Sequence, residues 1–482
     1  MELNAHRCYQ AIKARDARFD GQFFIAVKTT GIYCRPVCTA ITPKEKNCRF
    51  FPVAAAAERE GFRPCLRCRP ELAPGYATID ITRRVAHQTA ARIEAGALDH
   101  GSLENLALEF GYSSRQLRRV VEREYGVTPV ELAQTRRLLL AKQLLTDSSL
   151  PMLKVAQASG FASVRRFNHL FRSRYGLNPT GLRRKGKPDT SSECLTLKLG
   201  YRPPLAWTEL LQFLAGRGAA GVECADGNRY WRTVRMGEHK GWISATPSKK
   251  QNVLHIEVAH SLLPVLTPLL ARLRGVFDLD ANPAVIGAHL AQDSRLKPWV
   301  RRTPGLRVPG ALDGFELALR AILGQQITVK AATTIFTRFA AKFGEVIVTP
   351  NPELRFLSPQ ASRIADARLQ TLIDLGLTQK RAQTVHLLAK QVASYQLSLE
   401  PSVDLEKTLT ALKEIPGIGD WTAQYIAMRA LRATDAFPAS DLALLKALKV
   451  SKPREAEVLA EPWRPWRSYA ALYLWNSLKT GG

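Results

Sequence analysis

Two pairs of thiols lie within the first 70 residues: Cys34 and Cys38 with three residues between them, and Cys65 and Cys68 with two between them, the pairs separated by 26 residues. This count and spacing suit one tetrahedral Zn²⁺ with Cys34, Cys38, Cys65 and Cys68 as ligands. Four thiolates on one Zn²⁺ carry a net charge of about −2 and stay electron-rich. A structural clamp and a nucleophile that accepts an alkyl group both remain open on spacing alone. Alkylation would make one sulfur a neutral thioether and weaken the cluster's repulsion of phosphate. A second candidate lies near the C-terminus, where Ile415-Pro416-Gly417-Ile418-Gly419-Asp420-Trp421 is followed twenty residues later by Asp441. Gly417 and Gly419 permit a tight hairpin whose backbone can approach a phosphate, with amides of the next helix available to bind it. Asp441 opens a predicted helix from Leu442 to Lys449, a position that in isolation reads as a cap.

The chain that positions these groups has 482 residues, enough for about three domains, and a formal charge of +27 with pI near 10.0. The excess is spread along the whole chain and points to a polyanionic partner. No apolar run is long enough to span a membrane, and the N-terminus has no apolar signal core. The expectation is a monomeric cytoplasmic, nucleoid-associated protein with no membrane partner, in which paired thiols bind metal and do not form disulfides. None of the eight cysteines follows Cys224.

A helix is predicted over residues 4–17 and a strand over 21–27, entering the first thiol pair. Over residues 77–184 the pattern predicts helix throughout and contains a repeat. Leu106-Ala107-x3-Gly111-Tyr112 recurs as Val155-Ala156-x3-Gly160-Phe161, and Tyr125-Gly126 recurs as Tyr175-Gly176. A basic, then polar, segment with Gly and Pro reads as a linker. Residues 194–270 mix strand-like runs with a helix around 208–217, and amphipathic helices occupy the rest from about 276. The fold class is multidomain α+β: a small zinc-binding α/β module (1–76), an all-α double helix-turn-helix domain (77–185), a linker (186–193), an α/β subdomain (194–275) and an all-α domain (276–482).

In the first repeat Leu117, Val120 and Val121 are expected to face inward, leaving Arg115, Gln116, Arg118 and Arg119 outside. In the second, Phe167, Leu170 and Phe171 pack while Arg165, Arg166, Asn168, His169 and Arg172 point out. A major groove admits one such helix, and Arg can bridge guanine edges. Solvated basic faces on a plain bundle are the alternative.

The repeat resembles the paired helix-turn-helix domain of AraC/XylS-type regulators, which implies two recognition helices in successive major grooves and RNA polymerase as a candidate partner. The residues Thr29-Thr30-Gly31-Ile32-Tyr33-Cys34-Arg35-Pro36-x-Cys38 and Gly61-Phe62-Arg63-Pro64-Cys65-x2-Cys68, with Asp20-Gly21 and Phe23-Phe24, resemble the methylphosphotriester-accepting domain of the Ada family. That resemblance implies that Cys34 takes a methyl group from a backbone phosphate and that Thr30 and Arg63 lie near DNA. Thr39-Ala40-Ile41 stands where Ada carries basic residues, and no Pro-Cys-His-Arg motif of a guanine-demethylating domain is present. From about residue 194 the chain resembles 3-methyladenine DNA glycosylase II of the helix-hairpin-helix superfamily. The matches are Arg320-Ala321-Ile322-Leu323-Gly324-Gln325-Gln326, the hairpin, Asp441, and Trp463-x2-Trp466-Arg467-Ser468-Tyr469-Ala470 ending at Trp475. By position the resemblance implies Asp441 as catalytic carboxylate, and Trp421, Tyr425 and Trp475 as an aromatic pocket. Gln326 stands at the position of a wedge leucine. Trp421 replaces the Schiff-base Lys of lyase-type relatives, implying hydrolysis without strand cleavage, and the absence of late cysteines implies no iron–sulfur cluster. Double-stranded DNA is the expected partner throughout. The rival readings are a regulator that binds damaged bases without excising them, and a glycosylase whose N-terminal modules only target it to DNA.

Overall fold

The computed structural model describes residues 5–14, 19, 23–36, 38, 40–68, 70, 81–183, 194–401 and 405–480. Asp20, Gly21, Thr39 and the expected linker at 186–193 lie outside them. Among the described residues, no helix is long and apolar enough to cross a membrane. The chain divides into two compact units, one formed by residues 1–202 with 248–272 and the other by 203–247 with 273–482.

The first unit opens with helix Ala5–Lys13 and a sheet of β1 (Phe24–Val27), β2 (Ile32–Cys34), β3 (Cys48–Phe51) and β4 (Arg63–Pro64), ordered β3-β1-β2-β4. β1 is antiparallel to β2 and β3, while β2 and β4 run parallel. Alternation along a strand sends successive side chains to opposite faces. Phe23 and Ile25 accordingly pack with Cys8, Ala11 and Ile12 of the first helix. Phe24 and Ala26 pack with Tyr33 and Phe51 against Ala54 and Ala57 of the short helix Ala54–Arg59.

The repeat predicted from sequence is present. Helices Leu103–Glu109 and Ser114–Tyr125 form the first copy, Met152–Ala158 and Val164–Tyr175 the second, and the 19-residue helix Pro129–Asp147 joins them. The starts are written in the sequence. Ser113 with Gln116 and Thr128 with Glu131 form capping boxes, and Ser163 accepts from the Arg166 amide. Gly126 and Gly176 close both longer helices at φ +73° and +62°, the left-handed cap that glycine adopts without strain. Leu117, Val121 and Tyr125 in one copy, and Phe167, Phe171 and Tyr175 in the other, are buried, whereas Val120 and Leu170 are half-buried.

One acidic side chain lies in this unit's interior. Glu58, 4 % exposed, accepts hydrogen bonds from Tyr33 Oη (2.8 Å), Thr135 Oγ1 (2.6 Å) and Tyr175 Oη (3.3 Å). Burial raises its pKa above the ordinary carboxylate value against the pull of these hydroxyls. Elsewhere in the unit, strand Cys194–Gly200 pairs antiparallel with Val253–Ala259, and the half-buried Asp99 pairs with Arg136 and Arg137 of the long helix.

The second unit contains a meander of strands Glu223–Asp226, Arg229–Met236 and His239–Pro247 beside helix Trp207–Ala215. Its main core is helical and runs from Phe213 to Leu474. Arg232 joins Glu223 and Glu316 in the interior, and Arg320 meets the same two carboxylates at 2.6 and 3.1 Å. Asp278, at φ +49°, accepts from Tyr469 Oη at 2.8 Å and the Val308 amide at 3.3 Å.

Burial pushes Asp278 up to about 6, against the pull of Arg307 and the Tyr469 hydroxyl. A raised carboxyl value favours the protonated folded state, so this contribution is present below the ordinary value of 3.8 and is lost as pH rises through about 6. Asn tolerates the same backbone conformation. Relative to Asp278→Asn, the wild type should lose on the order of 2 kcal/mol of stability between pH 4 and pH 7, after discounting for partial exposure. Chemical denaturation of both proteins across that range measures it, and a constant difference contradicts the assignment.

Candidate functional sites

The sheet brings the thiols together. β2 ends in Cys34 and β4 leads into Cys65, with Tyr33 opposite Pro64 in parallel register. The Cys65 amide donates to the Tyr33 carbonyl at 2.9 Å, tying the start of the second pair to β2 beside Cys34, and the Cys38 amide donates to the Arg35 carbonyl at 3.1 Å within the first pair. The four Sγ atoms all lie within 4.8 Å of one another, with Cys38 and Cys65 at 4.0 Å. A disulfide needs about 2.05 Å, whereas a tetrahedron with Zn–S bonds of about 2.3 Å has edges near 3.8 Å. The donor set fits one zinc ion with no open position for water. The Cys34–thiol hydrogen bonds chiefly lower the pKa values of Cys38, to about 7, and of Cys65, as expected of sulfurs that share protons until a cation replaces them. The Arg35 amide donates to Cys68 Sγ at 3.3 Å. Cys34 is half-buried, Thr30 is exposed beside Gly31, and the Arg63 amide donates to the Gly31 carbonyl at 2.8 Å. Thr30 therefore lies in the turn that leads into β2 and Cys34, and Arg63 lies on adjoining β4 opposite Ile32.

In the helix pairs, Arg115, Arg118 and Arg119 are exposed on one longer helix, and Arg165, Arg166 and His169 on the other, with Asn168 half-buried. Gln116, expected on the outer face, is exposed, and its side chain also caps its own helix.

The second unit collects the C-terminal candidates around one carboxylate. Helices Leu405–Glu414 and Asp420–Arg429 flank the hairpin, with Gly419 at the start of the latter. Gly417 has φ +92°, and a Cβ there would meet Thr384 Oγ1 at 2.2 Å, while Thr384 Oγ1 donates to the Pro416 carbonyl at 2.7 Å. Asp441 precedes helix Leu442–Leu448, one residue shorter than expected, since Lys449 adopts a left-handed conformation at φ +56°. Its Oδ1 accepts the Ala443 and Leu444 amides and Trp475 Nε1, each at 3.0 Å, and Oδ2 accepts Trp421 Nε1 at 2.8 Å. Trp421 stacks on Tyr425, with centroids 5.3 Å apart and 9° between planes, and Tyr425 lies 6.3 Å from Trp475 at 51°. The four residues read from sequence form one contiguous wall.

Other members of this wall were not read from sequence. Arg429 donates to Tyr425 Oη at 2.8 Å and to the Pro309 carbonyl at 2.8 Å, and Arg217 lies 3.8 Å from the Phe213 ring centroid. Burial opposes ionisation of Tyr425, but Arg429 and Arg217 together bring its pKa below the ordinary phenol value. Burial in turn lowers Arg217. Arg429 follows Trp421 and Tyr425 at helical spacing, a signal that could have revealed it, whereas nothing local marks Arg217. Gln326 is exposed at φ +56° in the loop before helix Val329–Phe343. Its neighbour Gln325 donates from Nε2 to the Gly417 carbonyl at 2.9 Å and Thr422 Oγ1 at 3.0 Å, and Arg381 donates to the Gln325 carbonyl at 2.6 Å.

Four family profiles match in succession: the metal binding domain of Ada over residues 7–71, a helix-turn-helix domain over 106–185, the AlkA N-terminal domain over 196–313, and the HhH-GPD superfamily base excision DNA repair protein over 319–467. Fold and site together define a helix-hairpin-helix protein of the base-excision class, fused to an Ada-type metal-binding module and a helix-turn-helix domain. Over 99 % of its length the chain is 37 % identical to 97 % of a Mycobacterium tuberculosis protein named "Probable bifunctional transcriptional activator/DNA repair enzyme AlkA". It belongs to that family of AlkA-type bifunctional transcriptional activator/DNA repair enzymes. Over 58 % of the chain it is 35 % identical to 95 % of the DNA-3-methyladenine glycosylase 2 of Escherichia coli. Over 39 % it is 33 % identical to 86 % of the Bacillus subtilis bifunctional transcriptional activator/DNA repair enzyme AdaA. The solved 3-methyladenine DNA-glycosylase of Archaeoglobus fulgidus shares the fold, at TM-score 0.50 and 18 % identity over 59 % of this chain and 99 % of that one.

The two hairpin glycines separate by geometry. Gly417→Ala should cost on the order of 1–3 kcal/mol. Gly419 has no positive φ and nothing within 4 Å of a Cβ, so Gly419→Ala should cost less than about 1 kcal/mol. Thermal unfolding of both variants tests this, and equal losses would contradict the role given to Gly417.

Proposed function

We propose that this chain is a DNA-3-methyladenine glycosylase joined to a methyl-accepting sensor and a double helix-turn-helix regulator, with domains at 1–76, 77–185, 194–275 and 276–482 and a linker at 186–193. The observation that carries the enzymatic reading is the Asp441 carboxylate, held by two indoles and two helix-start amides. An alkylated purine such as 3-methyladenine is cationic and already a good leaving group. The glycosidic bond breaks with its electron pair passing to the base, positive charge develops at the sugar, and water then adds there. A carboxylate has about four lone-pair sites, and Asp441 already accepts four N–H groups. Three of these fall on Oδ1 and one on Oδ2, so Oδ2 keeps a lone pair, and the carboxylate serves as a fixed negative charge beside the oxocarbenium-like sugar or activates the attacking water. Trp421, Tyr425 and Trp475 offer ring faces to an extruded cation. Gln326 fills the gap left in the duplex, and the backbone at Gly417 and Gly419 holds a phosphate. Trp421 carries no amine, so hydrolysis proceeds without strand cleavage.

At the cysteine site, bound zinc would keep Cys34 as a thiolate. Cys34 Sγ attacks the methyl carbon of a phosphotriester. The S–CH3 bond forms as the O–CH3 bond breaks, and the phosphodiester leaves with the electron pair. Thr30 and Arg63 position the DNA backbone. Arg115, Arg118, Arg119, Arg165, Arg166, Asn168 and His169 read duplex DNA, and recruitment of RNA polymerase is the regulatory output.

Base release from alkylated duplex DNA tests the glycosylase reading. Asp441→Asn should lose at least about a hundredfold in rate, and equal release by both proteins would sink the mechanism. Mass spectrometry after incubation with DNA bearing methyl phosphotriesters should find one methyl group on Cys34. Methylation of Cys68 instead, or of no cysteine, would leave only a structural clamp.

A further inference from the structure

The six-residue helix Ala54–Arg59 occupies a junction. On one side Ala54 and Ala57 pack against Tyr33 and Phe24 of the zinc-module sheet. On the other, Ala55 with the preceding Val53 packs against Val121, Tyr125 and Val127 of the first helix-turn-helix copy. Its last two residues reach both longer helices of the repeat. Arg59 donates from Nη1 to the carbonyl of Gly126, the cap of the first. Glu58 Oε1 accepts from the hydroxyl of Tyr175, the final residue of the second, and Oε2 accepts from Thr135 in the helix that joins the copies.

The same helix connects to the cysteines twice. Glu58 Oε1 also accepts from Tyr33, the neighbour of Cys34 in β2. Beyond Arg59 the chain turns at Gly61, where the Phe62 amide bonds back to the Ala57 carbonyl, then enters β4 and Cys65 within four residues. One carboxylate oxygen is thus shared by a tyrosine adjoining the candidate methyl acceptor and a tyrosine ending a candidate recognition helix. Both contacts are buried, where hydrogen bonds are strong and a displaced partner is costly. A shift of β2 cannot leave Glu58 in place without lengthening one of the two bonds.

We infer that helix Ala54–Arg59 relays the state of the Cys34 site to the DNA-reading helices, Glu58 acting as positioning residue for Val164–Tyr175 and Arg59 for Ser114–Tyr125. The inference rests on the proposed sensing role of Cys34 and adds to it the route inside the protein. It also assigns the two helices separate contacts on adjacent residues, which makes them separable by mutation.

Hydrogen–deuterium exchange on the full-length, zinc-loaded chain tests it, before and after methylation by phosphotriester DNA and removal of that DNA. In the wild type, methylation should change exchange in both 114–126 and 164–176 by roughly two- to thirtyfold, the coupling that single network residues carry. Glu58→Gln keeps the volume and should accept the methyl group at the wild-type rate and retain one zinc, yet lose the change at 164–176 while keeping that at 114–126. Arg59→Gln should show the reverse. If Glu58→Gln does not fold, Tyr175→Phe removes a single hydroxyl and should reproduce its loss. Changes that persist at both helices in both variants, or vanish together in each, overturn the relay. If wild-type Cys34 takes up no methyl group the sensing reading fails, and the relay is then judged by zinc removal, which should perturb the same two segments with the same pattern of losses in the variants.

Discussion

A carboxylate set into a wall of aromatic rings is tolerated only where donors meet its charge, because an unpaired buried charge costs several kcal/mol. Asp441 meets that condition with four N–H groups from three directions: two amides at the start of its own helix, one indole from the hairpin helix and one from the C-terminal helix. This set constrains the fold around it. The hairpin must deliver Trp421, the last helix must deliver Trp475, and the backbone at 441 must turn into a helix there. Gly417 against Thr384 and the large helical core behind them are the means by which those positions are held.

Most of what could be read in advance was local. Four cysteines at short spacing, two copies of a capped helix pair, and a Gly-x-Gly hairpin each carry their signal within a few residues, and the structure assembles each as expected. What escaped depends on contacts between distant segments. Arg217 reaches Tyr425 only through the tertiary fold. Glu58, in an alanine-rich stretch ending in charged residues, has the sequence appearance of a solvated helix face, yet it is buried under three hydroxyls. Gln326 was legible as a position, but its left-handed backbone was not, since Gln has no preference for that conformation.

The Arg217 and Arg429 guanidiniums also temper a simple electrostatic account of the pocket. Ring faces attract a cationic base, whereas two arginines beside Tyr425 oppose it. Arg429 is committed to the Pro309 carbonyl and the Tyr425 hydroxyl, and part of the Phe213 ring lies under each guanidinium. Their charge is thus partly absorbed within the wall, and they brace Tyr425 from behind.

The side chain of Gln325 spans from the loop that bears Gln326 to the hairpin carbonyl of Gly417 and the hydroxyl of Thr422, while Arg381 holds its own carbonyl. Loop and hairpin are therefore fastened as one piece. On the proposed reading, the group that enters the base stack and the backbone that grips a phosphate advance together, so the spacing between the two on the duplex is set by the protein before contact. Such a tool inspects DNA at a fixed stride and cannot loosen one hand while the other probes.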